Sequence, residues 1–251
     1  MKNTTKFSVL LLSLVLFQNC TMKEEPLVIG HRGAMGHEVE NTLASVQKAM
    51  DLGVDMIEID VFKIKSGEIV VFHDVYLDRL TDTSGKIEDF DFQHLSQVKV
   101  AGGNAIPLLN DVLNIIDKKV ILNIELKGAG TAEKVDSLVR NFIDQKAGSN
   151  KDFIISSFKW DELRTMRRLN SEIPIAILTE NDPLEGIPIA QELHAVAINP
   201  DFEKLDPTKV QKIKKAGFKI YAWTVNEPSD IEMVKSWAVD GIITNFPERI
   251  N

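Results

Sequence analysis

The sequence predicts an α/β fold, a TIM (β/α)8 barrel with a small insertion after the second barrel strand. Three observations carry this. Short β-branched runs alternate with amphipathic stretches from Leu27 to Phe246, and strict alternation of strand and helix implies a parallel sheet covered by helices. Of nine strand candidates, one follows its predecessor too closely to run parallel to it, which leaves eight. Charged residues recur toward the C-terminal ends of these strands, and in a parallel barrel those ends share one face, where βα loops build sites.

The elements follow in order. "LVIGH" (27–31) is the first strand, and "TLASVQKAMDLG" is a helix with Asn41 as its N-cap and Gly53 as its stop. "MIEIDVF" (56–62) is the second strand. The next run, "EIVVFHD" (68–74), is separated from it only by Lys63 to Gly67, with the turn "KSGE" between them. A parallel crossover needs about a dozen residues or more, so this run returns antiparallel as a hairpin. Residues 63–110 then form the insertion, irregular apart from a short helix near Phe92 to Val98. Strands resume at "VILNIEL" (120–126), "FIISSF" (153–158), "IPIAILT" (173–179), "AVAIN" (195–199), "KIYAWTV" (219–225) and "GIITNF" (241–246). Between them lie the amphipathic helices "TAEKVDSLVRNFIDQK", "KWDELRTMRRL", "DPTKVQKIKKAG" and "EPSDIEMVKSWAVDG". A doubly wound open sheet is the competing architecture.

The first residues have a different character. "MKNTTKFSVLLLSLVLFQNC" carries two lysines, an apolar run from Phe7 to Phe17, and Cys20. The run is short for a membrane-spanning anchor, and residues 1–19 have the shape of a secretory signal peptide. Cys20 is the only cysteine, which excludes an intramolecular disulfide. Its position directly after the apolar run resembles a bacterial lipoprotein, in which that cysteine is lipidated. The following "TMKEE" resembles an acidic export tag. Residues 20–26 then read as a lipid-anchored linker and 27–251 as the barrel domain. The expected location is the bacterial cell envelope, periplasm or outer membrane, held by acyl burial with no spanning helix. Secretion with a free thiol and a buried N-terminal helix are the alternatives.

The formal net charge is -8. Such a body excludes a general nucleic-acid binder, which needs a basic face. It leaves room for a small anionic substrate wherever local cations or a metal override the global field.

The strand ends supply the chemistry. The first strand ends in His31-Arg32-Gly33, the hairpin return in His73-Asp74, and the third barrel strand carries Glu125 and leads to Lys127. Glu58 and Asp60 are two apart on the second strand, so both point to one side, while Ile57, Ile59 and Val61 point to the helices. Carboxylates aimed into one mouth repel unless neutralised. With Glu125 they make three, a set suited to one divalent cation, and oxygen ligands favour Ca²⁺ or Mg²⁺ over zinc. His31 and His73 are the acid/base candidates, since imidazole exchanges protons near neutrality. Arg32 and Lys127 supply an anion clamp. The competing role for these two is ion pairing with the acids, and such pairs can persist until metal and substrate arrive. Trp223 either packs in the core or covers the carbon face of a small polyol. His37, His94 and His194 lack the strand-end context.

The strings "HRG", "ENT", "EIDV", "VVFHD", "LDRLT", "IPLL", "NIELK", "AWTVN" and "GIITNFP" occur in this order from about Leu27 to Pro247. In order and spacing the chain resembles the glycerophosphodiester phosphodiesterase family. The resemblance implies a TIM barrel with an insertion after the second strand. It also implies hydrolysis of a small-molecule glycerophosphodiester to glycerol 3-phosphate and an alcohol. It implies His31 and His73 as the general acid/base pair, Glu58, Asp60 and Glu125 as metal ligands, and Arg32 and Lys127 as phosphate contacts. The implied route runs through a cyclic phosphate, with His31 as first base and His73, on the insertion hairpin, as first acid. Two departures stand out: Val39 where the family usually has Pro, and Asn245 where Asp is frequent. Action on intact phospholipid, and a lipoprotein that uses the barrel only for binding, are the alternative functions.

Overall fold

The computed structural model describes residues 25–250. The expected leader, Cys20 and the linker up to residue 24 lie outside the described residues. In chain order the strands are β1 (Leu27–Gly30), β2 (Met56–Lys63), β3 (Ile69–Val71), β4 (Lys99–Val100), β5 (Asn104–Ala105), β6 (Ile121–Leu126), β7 (Phe153–Ser157), β8 (Ile175–Thr179), β9 (Ala197–Pro200), β10 (Lys219–Ala222) and β11 (Gly241–Thr244). Eight of them form a parallel ring, β1-β11-β10-β9-β8-β7-β6-β2, closed where Ile29 and Gly30 pair with Met56 and Ile57. The third run is antiparallel as expected: β3 returns along β2 with Val61 opposite Val71 and Lys63 opposite Ile69.

The helices are α1 (Leu43–Asp51), α2 (Phe92–Leu95), α3 (Leu109–Ile116), α4 (Ala132–Lys146), α5 (Trp160–Leu169), α6 (Gly186–Glu192), α7 (Pro207–Lys215) and α8 (Pro228–Ser236). Two were not read from the sequence. The start of α3 follows the Gly- and Pro-containing "AGGNAIPLL", which reads as loop, yet Pro107 sits just outside the helix. In α6 the sequence "EGIPIAQE" carries Gly186 and Pro188, both breakers in a helix interior, but here they fall in the first turn, where proline is tolerated. The N-cap of α1 also differs from expectation. Thr42 caps it, accepting from the Ser45 amide at 3.1 Å. Asn41 takes a left-handed backbone, φ 57°, and turns its side chain elsewhere.

Side-chain alternation sorts the barrel into two surfaces. Ile57, Ile59 and Val61 join the large core between sheet and helices. The residues between them face inward. Inside the ring, Ile29, Met56, Ile154, Ala176, Ala197, Tyr221 and Ile243 form a separate apolar cluster. Polar inward positions follow these along the strands: Glu58, Asn123, Ser156 and Asn199. The insertion has its own core, built on Phe62, Ile64, Val70, Phe72, Leu77, Ile87 and Leu95. Each such buried side chain contributes about 1.5–3 kcal/mol relative to an exposed one, and through Phe62 this second core ties the insertion to β2.

Candidate active site

The site begins with the tight turn after β1. The His31 amide donates to Thr244 O at 2.9 Å, the last step of the β1–β11 ladder. Arg32 then adopts φ 51° and Gly33 φ 83°. A Cβ on Gly33 would sit 2.3 Å from Ser45 Oγ, so only glycine fits beneath α1. The turn is held from both sides: the Arg32 amide donates to Glu58 Oε2 at 2.9 Å, and Ser45 Oγ donates to Arg32 O at 2.8 Å. The result swings the Arg32 guanidinium over the acids, with Nη1 at 2.6 Å from Glu40 Oε1 and Nε at 3.4 Å from Asp60 Oδ2.

The three acids meet. Asp60 and Glu125 are register partners across β2 and β6, and Glu58, Asp60 and Glu125 each place a carboxylate oxygen within 4.8 Å of the others. All three are buried. Asp60 is held in place by Asn41, whose Nδ2 donates to Asp60 Oδ2 at 2.8 Å and whose Oδ1 accepts from the Asp60 amide at 3.2 Å. Lys127 Nζ lies 3.0 Å from Glu125 Oε1 and 3.6 Å from Asp60 Oδ1. The ion pairs weighed in the sequence are therefore present, but two cations do not balance three anions. Burial, then the Asp60 and Glu125 charges, pushes the Glu58 carboxyl well above the usual carboxylate range. Burial, then Asp60, raises Glu125 to about 7. Asp60 stays low because Lys127 and Arg32 outweigh the burial that opposes its charge. Glu58 Oε1 is buried with no hydrogen-bond partner. An all-oxygen donor set with one orphaned donor and surplus negative charge fits a hard divalent cation.

Each histidine is oriented through Nδ1. His31 Nδ1 lies 2.7 Å from Asn245 Oδ1, and the Asn245 amide in turn donates to Asn226 Oδ1 at 2.9 Å. His73 Nδ1 lies 2.6 Å from Asp74 Oδ1. Both oxygens accept only, so in each neutral ring the proton sits on Nδ1 and Nε2 is the free nitrogen. Burial, then the Arg32 charge, pushes His31 down to about 4. Burial also lowers His73, with the Asp60 and Asp74 carboxylates opposing the shift.

A cavity of about 380 Å³ opens at this end of the barrel. It is lined by His31, Arg32, Glu58, His73, Glu125, Lys127 and Trp223, seven of the residues singled out in the sequence. Asp60 is not on its wall; it lies behind Arg32 and Lys127 at 1 % exposure. Trp223 falls just past the end of β10 and donates Nε1–H to Asn199 O at 2.8 Å, while its ring meets Phe158 edge-on at 5.5 Å. Phe158 and Glu180 also line the cavity and were not foreseen. His37 and His94 are accounted for elsewhere, by Glu248 at 2.9 Å and by the Phe90 ring at 4.9 Å. Other participants missed in the sequence are Asn41 and Glu40, both within "ENT", and Arg79, within "LDRLT". The strings were visible, but their spatial partners were not.

A family model described as the glycerophosphoryl diester phosphodiesterase family matches residues 31–249. The chain is 33% identical over 237 residues to the glycerophosphodiester phosphodiesterase of Caldanaerobacter subterraneus subsp. tengcongensis, covering 89% of this chain and 96% of that one. Among solved structures it is similar to an Oleispira antarctica phosphodiesterase in complex with the product sn-glycerol-3-phosphate, with TM-score 0.83, 29% identity, and coverage of 90% and 95% of the two chains. It also resembles the glycerophosphodiester phosphodiesterase of Thermotoga maritima, with TM-score 0.74, 26% identity, and coverage of 90% and 97%. With the match spanning nearly the whole barrel and the relatives covered almost end to end, the chain belongs to the glycerophosphoryl diester phosphodiesterase family.

Proposed function

We propose that the protein hydrolyses glycerophosphodiesters to glycerol 3-phosphate and an alcohol, with His31 and His73 as the acid/base pair. The observation that carries this is the shared cavity: two imidazoles with Nδ1 tied open on one hollow with Glu58 and Glu125, and Asp60 completes the all-oxygen trio from behind the wall. Glu58, Asp60 and Glu125 would hold one divalent cation, Ca²⁺ or Mg²⁺, whose Lewis acidity draws charge from the phosphoryl oxygens. Arg32 and Lys127 would bind the same phosphate, Arg32 through a planar fork and Lys127 as a point charge. Trp223, its ring orientation set by Asn199, would cover the carbon face of the glycerol.

The proton chemistry follows from the two imidazoles. His31, pushed down to about 4, is neutral at pH 7 and ready to accept a proton on Nε2. It would take the proton of the glycerol hydroxyl next to the ester. That oxygen attacks phosphorus, closing a cyclic phosphate, and the bond to the alcohol breaks. His73, entering as the imidazolium with its Nδ1–H held by the Asp74 carboxylate, would give its Nε2 proton to the departing alkoxide. Water then opens the ring with the two roles reversed. Attack from within the substrate gains the proximity advantage of an intramolecular reaction. The Oleispira relative's bound product, sn-glycerol-3-phosphate, is what this sequence of steps would release. The leader-like residues 1–19 and Cys20 support a lipid-anchored location at the bacterial cell envelope.

The test is release of glycerol 3-phosphate from glycerophosphocholine, abolished by chelator and restored by Ca²⁺ or Mg²⁺. Chelator-resistant turnover would remove the metal from the reading. A diester lacking the vicinal hydroxyl should be cut poorly, and equal rates on both substrates would remove the cyclic step.

A further inference from the structure

We infer that Arg79 and Glu40 are positioning residues for His73, acting through Asp74, and that this ion-pair chain locks the insertion to the rim of the barrel. The inference rests on the reading of His73 as a proton donor.

His73 has no sheet to hold it. β3 ends at Val71, and the Phe72 amide, donating to Asp60 O at 3.0 Å, makes the last backbone bond before the histidine. The ring is aimed instead by its neighbour Asp74, whose Oδ1 accepts from Nδ1. Asp74 is itself half-buried on an irregular segment, so its direction needs a cause. Its other oxygen, Oδ2, accepts from Arg79 Nε at 2.5 Å. The remaining two nitrogens of Arg79 are both committed to Glu40: Nη1 to Oε2 at 2.8 Å and Nη2 to Oε1 at 2.7 Å. Glu40 Oε1 also accepts from Arg32 Nη1 at 2.6 Å. The chain of contacts thus runs His73–Asp74–Arg79–Glu40–Arg32 and joins the two sides of the proposed phosphate site.

Three features make this a device and not a casual surface pair. Every nitrogen of the guanidinium donates to a protein carboxylate, so the direction of Arg79 is fixed by Asp74 and Glu40 together. Its side chain is half-exposed, but Glu40 at the far end is only 5 % exposed. There the opposing effect of burial is outweighed by Arg79 and Arg32, which hold the Glu40 carboxyl below its usual range. The base of Arg79 is fixed too, because it ends the 3-10 turn Leu77–Arg79, whose Leu77 is fully buried in the insertion core. Only arginine offers a planar fork that can take one carboxylate on two nitrogens and a second on the third. Lysine at this position would reach one carboxylate or the other. Without the clamp, Asp74 is free to turn away and the His73 ring is free to flip, presenting Nε2 to the phosphate only part of the time.

Two measurements decide it. In the first, kcat and KM for glycerophosphocholine are compared for Arg79→Met, Arg79→Lys, Asp74→Asn and the Arg79→Met/Asp74→Asn double variant. Arg79→Met is expected to lower kcat about 10²-fold with KM changed less than about threefold, because positioning of a proton donor acts on the chemical step. Arg79→Lys should recover little. The double variant should be no slower than Asp74→Asn alone, since both substitutions break one chain. Losses that multiply in the double variant would overturn the proposal, as would Arg79→Met keeping kcat within about threefold of wild type. The second measurement needs no turnover: the imidazole ¹H–¹⁵N spectrum should show a protected His73 Nδ1–H that disappears in Arg79→Met. Its persistence would overturn the proposal even if the wild-type protein cut no glycerophosphodiester, a result that would count against the proposed function instead. Should Arg79→Met not fold, Glu40→Gln serves both measurements, since it keeps the shape and opposes an amide to the guanidinium.

Discussion

His31 and His73 face one cavity from unlike ground. His31 belongs to the barrel: its amide continues the β1–β11 ladder to Thr244, and its ring rests on the neutral side chain of Asn245, whose backbone N–H donates to Asn226 Oδ1. His73 belongs to the insertion: its ring rests on the Asp74 carboxylate, held by Arg79 and through it by Glu40. One support is made of sheet and amide dipoles, the other of full charges. At His31, burial and then the Arg32 charge outweigh the Asn245 oxygen, which favours the imidazolium, and push the ring down to about 4. A carboxylate support fixes direction and favours the proton as well. Burial lowers His73 as well, but there two carboxylates, Asp60 and Asp74, oppose the shift.

The comparison breaks most visibly if either ring is removed. His31→Ala and His73→Ala should each lower kcat by about 10²–10⁴-fold, and glycerol 3-phosphate release measures it. A small loss at one of them would mean that its support aims nothing that reacts. Next in size, Glu40→Gln tests the charged support as structure. The lowered Glu40 pKa means that its contribution to stability is present above the ordinary value of 4.5 and is lost as pH falls through the lower folded value. The variant should be about 1.5–3 kcal/mol less stable to urea at pH 7, and its stability should fall less than that of wild type on acidification below pH 4.5. An identical acid profile would show that Glu40 is not part of the clamp. Sharper still, Asn245→Asp places a carboxylate behind His31 as well. The acid limb of the kcat/KM profile should then move to higher pH by about one unit, while the rate at its plateau stays within about fivefold. A limb that does not move would mean that His31 is not the group titrating there. The smallest effect is expected outside both supports: Cys20→Ala should abolish incorporation of labelled palmitate and leave kcat on a soluble diester unchanged. Acylation that survives the substitution would remove the anchor.

Much of this was legible in the chain. The five residues Lys63 to Gly67 are too few for a crossover, and that alone reduced nine strand candidates to the eight that close the ring. Glu58 and Asp60 share an inward face because strand side chains alternate, and Ile57, Ile59 and Val61 lie in the outer core for the same reason. The misses have local causes. α6 was hidden by Gly186 and Pro188, which signal a loop unless they fall in a first turn, as they do here. Asn41 was given to the helix as a cap because Asn and Thr are both good caps. Its real partner, Asp60, lies on another strand.

By itself the sequence determined the alternation of elements, the inward direction of Glu58 and Asp60, and the departure at Asn245. These depend on spacing along one chain, where strand and helix periods act locally. Only the tertiary structure decided what each charged group faces. Asn245 became the support of His31 through contact across 214 positions, and Arg79 reached Glu40 across 39. The reason is physical. An ion pair or a hydrogen bond depends on distances of a few ångströms in space, and those distances appear only once the ring has closed and the insertion has packed its own core.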